Sequence, residues 1–223
     1  MKKVIVIMVM AMTVMGALAQ SEKRVQMWGN VKLTSSSPGM IGGGLWGKDP
    51  SFSGQVGVNV GNFVFSAFRT SDLLDKTSNA NQVDISATYS RKFGHWKLTL
   101  GNDVLLFDNK SMDMMIPRVL ATYSVGKFAV EGMVTYCPLF SGGNMKIARI
   151  SPAVTVEGYS FRLFVWAKDA NGSYSTPASL QVGKKLFQFE NGNSLSMTAA
   201  YHVKDIAVKK WEPFGWVGIQ VDF

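Results

Sequence analysis

Apolar and polar residues alternate with a period of two along most of this chain. From Gln82 to Phe93, Val83, Ile85, Ala87, Tyr89 and Phe93 share one face; Gln82, Asp84, Ser86, Thr88, Ser90 and Lys92 share the other, with Arg91 an exception on the apolar side. Phe128, Val130, Gly132, Val134 and Tyr136 oppose Ala129, Glu131, Met133, Thr135 and Cys137. Leu195, Met197, Ala199, Tyr201 and Val203 oppose Ser196, Thr198, Ala200, His202 and Lys204. Strict alternation of this kind predicts half-buried β-strands. Beyond the first nineteen residues no stretch has a helical period.

The strands are punctuated by glycine. Val60-Gly61-Asn62-Phe63, Phe93-Gly94-His95-Trp96, Val125-Gly126-Lys127-Phe128 and Glu157-Gly158-Tyr159-Ser160 are tight reversals, and Glu190-Asn191-Gly192-Asn193-Ser194 is a looser one. The first four glycines are 33, 32 and 32 residues apart. Glycine accepts the positive φ of a two-residue hairpin turn. Val60/Phe63, Phe93/Trp96 and Val125/Phe128 then face each other across the first three hairpins, a pairing that stabilises antiparallel strands. On the fourth, a tip at 158–159 would place Arg149 opposite Lys168. A tip at 94–95 places Lys92 opposite Lys97.

Between the tight turns lie longer, polar or Gly-rich connections at 35–51, 73–80, 108–112, 141–144, 171–175 and 205–212. Tight turns at one end and longer loops at the other are the asymmetry of a membrane barrel. The pattern predicts an all-β, antiparallel up-and-down transmembrane β-barrel of about twelve strands, within a range of ten to fourteen, starting with Val25–Leu33. A soluble β-sandwich alternates too. Here, however, aromatics track height on the hairpins. Phe63, Phe93, Trp96, Phe128, Tyr159, Phe161, Phe187, Phe189 and Phe223 flank the tight turns, and Tyr89, Tyr123, Tyr136 and Tyr201 sit further up. Two such belts mark the interfaces of a bilayer.

Composition adds the export route. Met1-Lys2-Lys3, an apolar run from Val4 to Val14 and Ala17-Leu18-Ala19 read as a signal peptide over 1–19, cleaved after Ala19, with a single barrel domain over 20–223. Without Lys2 and Lys3 the formal charge falls from +8 to +6. That bias favours anionic solutes or lipid headgroups, and export makes nucleic acid a poor partner. Cys137 is alone, so no internal disulfide forms.

The final segment FGWVGIQVDF alternates Val217, Ile219 and Val221 before Phe223. It resembles the C-terminal strand signal of bacterial outer-membrane β-barrels, a porin-like class, with no single family fixed. The resemblance implies the outer membrane of a Gram-negative bacterium, outer-membrane lipid around the wall, and delivery by the barrel-assembly machinery through the strand ending in Phe223. Twelve-stranded members of that class include narrow channels for acidic oligosaccharides and a membrane phospholipase.

If lipid covers the apolar face, the polar face lines the interior. Its cations are Lys32, Lys92, Lys97, Arg118, Arg149, Arg162, Lys168 and Lys204; its acids are Asp84, Asp103, Glu131 and Glu157. Arg118, Arg149, Lys168 and Lys32 are the candidate anion-selective lining of a channel for small solutes. Arg162 is a fifth candidate, expected to pair with Glu157. Phe164 and Trp166 could narrow the bore. The alternative is a barrel plugged by its own charges, with a structural or adhesive role. An enzymatic reading needs a nucleophile beside a base. His202 is the one well-placed base, His95 sits in a turn, and the sequence around His202 holds no serine set. No catalytic residue, metal site or cofactor is therefore assigned; Cys137-Pro138 reads as inert, and Gly42-Gly43-Gly44 is not followed by the helix of a phosphate loop.

Overall fold

The computed structural model describes residues 25–38, 45–109, 113–190, 192–206 and 210–223; the expected leader over 1–19 lies outside them. Twelve long strands build the wall. They are β1 (Val25–Thr34), β2 (Ser51–Val60), β3 (Phe63–Asp72), β4 (Gln82–Phe93), β5 (Trp96–Phe107), β6 (Met114–Val125), β7 (Phe128–Pro138), β8 (Asn144–Val156), β9 (Tyr159–Ala170), β10 (Ala178–Gln188), β11 (Ser194–Asp205) and β12 (Lys210–Asp222). Each pairs antiparallel with its sequence neighbours, and β1 pairs with β12, so the sheet closes without a free edge. Closure is sealed where Gly29 and Phe223 exchange backbone hydrogen bonds at 2.8 and 2.9 Å.

The tight turns follow from glycine. Gly61, Gly94 and Gly126 have φ of 59°, 57° and 55°, while the residue after each keeps a negative φ. That is the type II′ geometry that matches the twist of paired strands. Val60–Phe63, Phe93–Trp96 and Val125–Phe128 stand opposite each other as the sequence implies. Large apolar side chains such as Val134 and Tyr136 point away from the barrel axis and are exposed. The packed core is on the other face, inside.

The fourth turn differs. Its tip is Glu157-Gly158, with φ of 50° and 80°, and Val156 pairs with Tyr159. This is a type I′ turn, which uses glycine in its second central position and tolerates an L-residue in the first. The tip thus lies one residue earlier than expected. Arg149 faces Trp166, and Lys168 faces Ile147. Two further departures come from local chemistry. Asn171-Gly172 makes a second turn with positive φ, so Ser173–Ser175 folds back on β9 as a short extra strand where a plain loop was expected. A bulge after Val203 breaks the alternation: Lys204 is exposed and Asp205 buried, so Lys204 leaves the lumen series.

The connection over 35–51 contains a two-rung ladder between Ser37–Pro38 and Leu45–Gly47. Gly47 lies so close to Asp72, Ser78 and Ala80 that an added Cβ would meet them at 2.7–3.1 Å. The loop after β3 is held by its own polar side chains: Asp72 accepts from the Leu74 and Asp75 amides, and Asn81 donates to the Asp75 and Ser78 carbonyls. Nearby, Arg69 donates two hydrogen bonds to Asp108 at 2.8 and 2.6 Å. The hydrogen bond from Arg69 holds the Asp108 carboxyl below its ordinary range. A depressed carboxylate contributes stability above its unfolded pKa and loses it as pH falls through the folded one. Both groups are nearly half exposed, so Asp108→Asn is expected to cost about 0.2–1 kcal/mol near neutral pH and nothing in strong acid, read from denaturant midpoints.

Candidate functional site

The site with chemistry in it is the lumen. Parity along each strand decides what enters it, and the cross-strand pairs carry that choice around the wall. One sector is apolar. Leu105, Phe107, Met114, Ile116, Met133, Cys137, Ile147, Phe164 and Trp166 form a buried cluster on β5 to β9, towards the loop end. Phe164 and Trp166 stack at 5.4 Å and 17° and are 9% and 3% exposed. The opposite sector, on β12 and β1 to β3, is polar. Thr34 meets Ser51 at 2.7 Å, and Trp28 Nε1 donates to Asn59 Oδ1 at 3.0 Å. At the tight-turn end the interior opens into a vestibule of about 790 Å³ lined by Gln26, Asn59, Ser90 and Lys97.

The five candidate lining residues fall into two groups. Arg118 and Arg149 are paired with acids: Arg118 with Asp103, and Arg149 with Glu131 across β7 and β8. Arg118 lies over its cross-strand partner Gly101, where a Cβ would come within 3.1 Å of Nε. Asp84 stands in the field of Arg118 as well. The other three lack a carboxylate partner among the described residues. Lys32 Nζ sits 4.4 Å above the Trp216 ring. Lys168 is half-buried on β9, one step beyond Trp166 on the same face. Arg162 does not pair with Glu157, which is in the turn. Its guanidinium lies 5.7 Å from the Phe164 ring, and that of Arg149 lies 5.2 Å from the same ring.

Sequence reasoning put Lys92 and Lys97 in the lumen but not among the lining candidates. They face each other across the last rung but one before the Gly94 turn, both exposed, with no acid paired to them among the described residues. It missed the unused polar atoms around the ion pairs. Arg118 Nε, Arg149 Nε and Trp166 Nε1 are buried donors without a protein acceptor, and Asp84 Oδ1 and Asp103 Oδ1 are buried acceptors without a donor. Such atoms are costly unless something polar meets them.

His202 is buried on the inner face of β11. Trp216 Nε1 donates to its Nε2 at 2.9 Å, its ring stacks on Phe214 at 4.6 Å, and Ser179 Oγ approaches Nε2 at 3.3 Å. A serine does therefore stand beside the histidine, brought from β10 by pairing that the linear sequence hides. The indole N–H occupies the lone pair a base would need, and Ser179 is 1% exposed. The pair is packed wall.

No family model matches the sequence, and no curated protein matches it. Solved structures do. The "KdgM porin" superposes with a TM-score of 0.59 at 12% identity, covering 88% of this chain and 98% of that one. The "NanC porin" gives 0.58 at 11% identity, over 89% and 99%. The fold is that of an outer-membrane porin barrel. An outer-membrane channel from Pseudomonas putida F1 is similar too, with a TM-score of 0.53 at 10% identity over 88% of this chain and 94% of that one.

Proposed function

We propose that this chain is a porin-like channel of a Gram-negative outer membrane, passing small anionic solutes through its lumen. The leader cleaved after Ala19 would export it. The strand ending in Phe223 would present it to the barrel-assembly machinery. The observation that carries the anionic reading is the set of inward cations that have no acidic partner among the described residues. Arg118 and Arg149 are neutralised by Asp103 and Glu131. Lys92 and Lys97 face each other at the tight-turn mouth, Lys32 rests on Trp216, and Arg162 and Lys168 stand at either end of the Phe164–Trp166 stack. Like charges opposed on one face cost stability. Water screens that cost, and an anion passing between them turns it to use.

The paired arginines contribute differently. Each keeps an unused Nε donor, and Asp103 and Asp84, the acids around Arg118, each keep an unused carboxylate oxygen. That mixture suits a solute bearing both an acid and hydroxyl groups.

A second reading, a plugged barrel with a structural or adhesive role, is favoured by the apolar cluster that fills one side of the bore. A lipid hydrolase has less support, because His202 is committed to Trp216. Reversal potential across planar bilayers in a salt gradient tests the proposal. Anion preference is expected, and Lys92→Gln with Lys97→Gln is expected to weaken it. Cation preference in the unaltered protein removes the basic-lining argument. A bilayer without current steps favours the plugged barrel.

A further inference from the structure

Arg91 is the charged residue on the apolar face that the alternation left unexplained. In the barrel it points outward and is exposed. Its guanidinium carbon stands 5.1 Å from the Phe93 ring, inside the aromatic girdle at the tight-turn end. Lys184 is its counterpart on the far wall, with Nζ 4.3 Å from the Tyr159 centroid and donating to the hydroxyl at 2.8 Å. Neither has a carboxylate partner among the described residues. The loop end is arranged otherwise: Arg69 is bound to Asp108, and Lys146 stands across from Asp169.

Next to Arg91 the outer wall is hollow. Trp96 and Tyr123, with centroids 4.9 Å apart, form one rim of an apolar groove of about 400 Å³. Ala121, Gly132 and Ile150 line it and continue into a second hollow of about 540 Å³ further up the wall. The floor is open at Gly132, where an added Cβ would meet nothing within 4 Å. Arg91 is one strand away from this rim, since its cross-strand partner Leu98 lies two residues along β5 from Trp96.

We propose that Arg91 and the groove over Gly132 form a site for one glycerophospholipid of the leaflet at the tight-turn end. Its phosphate meets Arg91 and one acyl chain lies along the groove. The aromatic girdle marks headgroup level, and a long cationic side chain there reaches towards that layer. Guanidinium binds phosphate through two parallel hydrogen bonds. Charge complementarity favours lipid over a second copy of the barrel. Among the described residues, the outward strand faces of the tight-turn half carry no Asp or Glu, so another wall would leave Arg91 unpaired against apolar surface. A phosphate supplies the missing charge. This requires that the barrel sit in a membrane; it does not require that the lumen conduct.

Native mass spectrometry of the folded, detergent-solubilised protein tests it, with phosphatidylglycerol titrated in. One bound lipid is expected. Arg91→Gln is expected to weaken it about tenfold, as for one lost charge-assisted contact. Gly132→Leu fills the groove from the other side and is expected to do the same, while Arg91→Lys should retain part of the binding. Heat-modifiable gel mobility verifies that each variant has folded. Equal retention by Arg91→Gln and Gly132→Leu overturns the site, as does equal binding of phosphate-free diacylglycerol. Displacement by inorganic phosphate alone would assign Arg91 to a free anion, and a dimer in place of the adduct would assign the groove to a second copy; either ends the proposal. Conductance plays no part in the readout, so a silent bilayer sinks the transport reading and not this one.

Discussion

Trp166→Ala is expected to destabilise the barrel and widen its bore at once. Trp166 is 3% exposed, stacked on Phe164, and faces Arg149 across β8 and β9. Truncating a buried aromatic of this size costs about 3–5 kcal/mol. The cluster it belongs to is packed inside the lumen, so the volume it vacates becomes bore. A channel should then show a lower denaturant midpoint in vesicles together with a larger single-channel conductance. A plugged barrel should show the first change alone, with no current before or after. Lower stability with unaltered, non-zero conductance would mean that solutes pass on the polar side, along the β1–β3 wall that carries Lys32. The substitution therefore separates three arrangements that share one fold.

Period and turn chemistry made the wall legible. The II′ glycines at 61, 94 and 126 fix register on both sides of each hairpin, and one rung then dictates the rest. The Gly158 turn shows the limit of that logic. Glycine satisfies the first position of one primed turn and the second of another, and which one forms depends on whether Glu157 can take φ of 50°. Nothing in the residue letters decides this, and the error moved Lys168 from Arg149 to Ile147. It left both on the inner face, because the shift preserves parity.

The lumen was less legible, for a physical reason. Parity assigns a face to a residue but says nothing of which neighbour on that face it meets. The ion pairs join residues on adjacent strands, and the cross-strand partners of Arg149 are Met133 and Trp166 rather than Glu131. Long side chains reach diagonally. The same limit hid Ser179 from His202, and Trp216 from both. Bulges add a second limit: between Val203 and Asp205 the pairing of β11 with β12 slips by one residue, with the extra residue on β12, and no composition signal announces it.

Val134→Arg is expected to cost about 2–4 kcal/mol when the protein is unfolded from lipid vesicles, as for a charge on the lipid face near mid-wall. Val134 lies well inside β7, away from either end, and is 57% exposed, with Val119 and Ala148 opposite it. In water a side chain so exposed could take a charge at little cost, within about 0.5 kcal/mol. Thr122→Arg supplies the control. Thr122 is on the inner face, opposite Glu131, so the new cation meets the aqueous lumen and shares with Arg149 the acid that already pairs it. It is expected to stay within the same small range. A large cost at 134 with a small one at 122 requires hydrocarbon outside and water inside. Equal, small costs at both would mean that the outward apolar residues never meet lipid; the channel and the phospholipid site would then fall together, because both depend on which side of this sheet is wet.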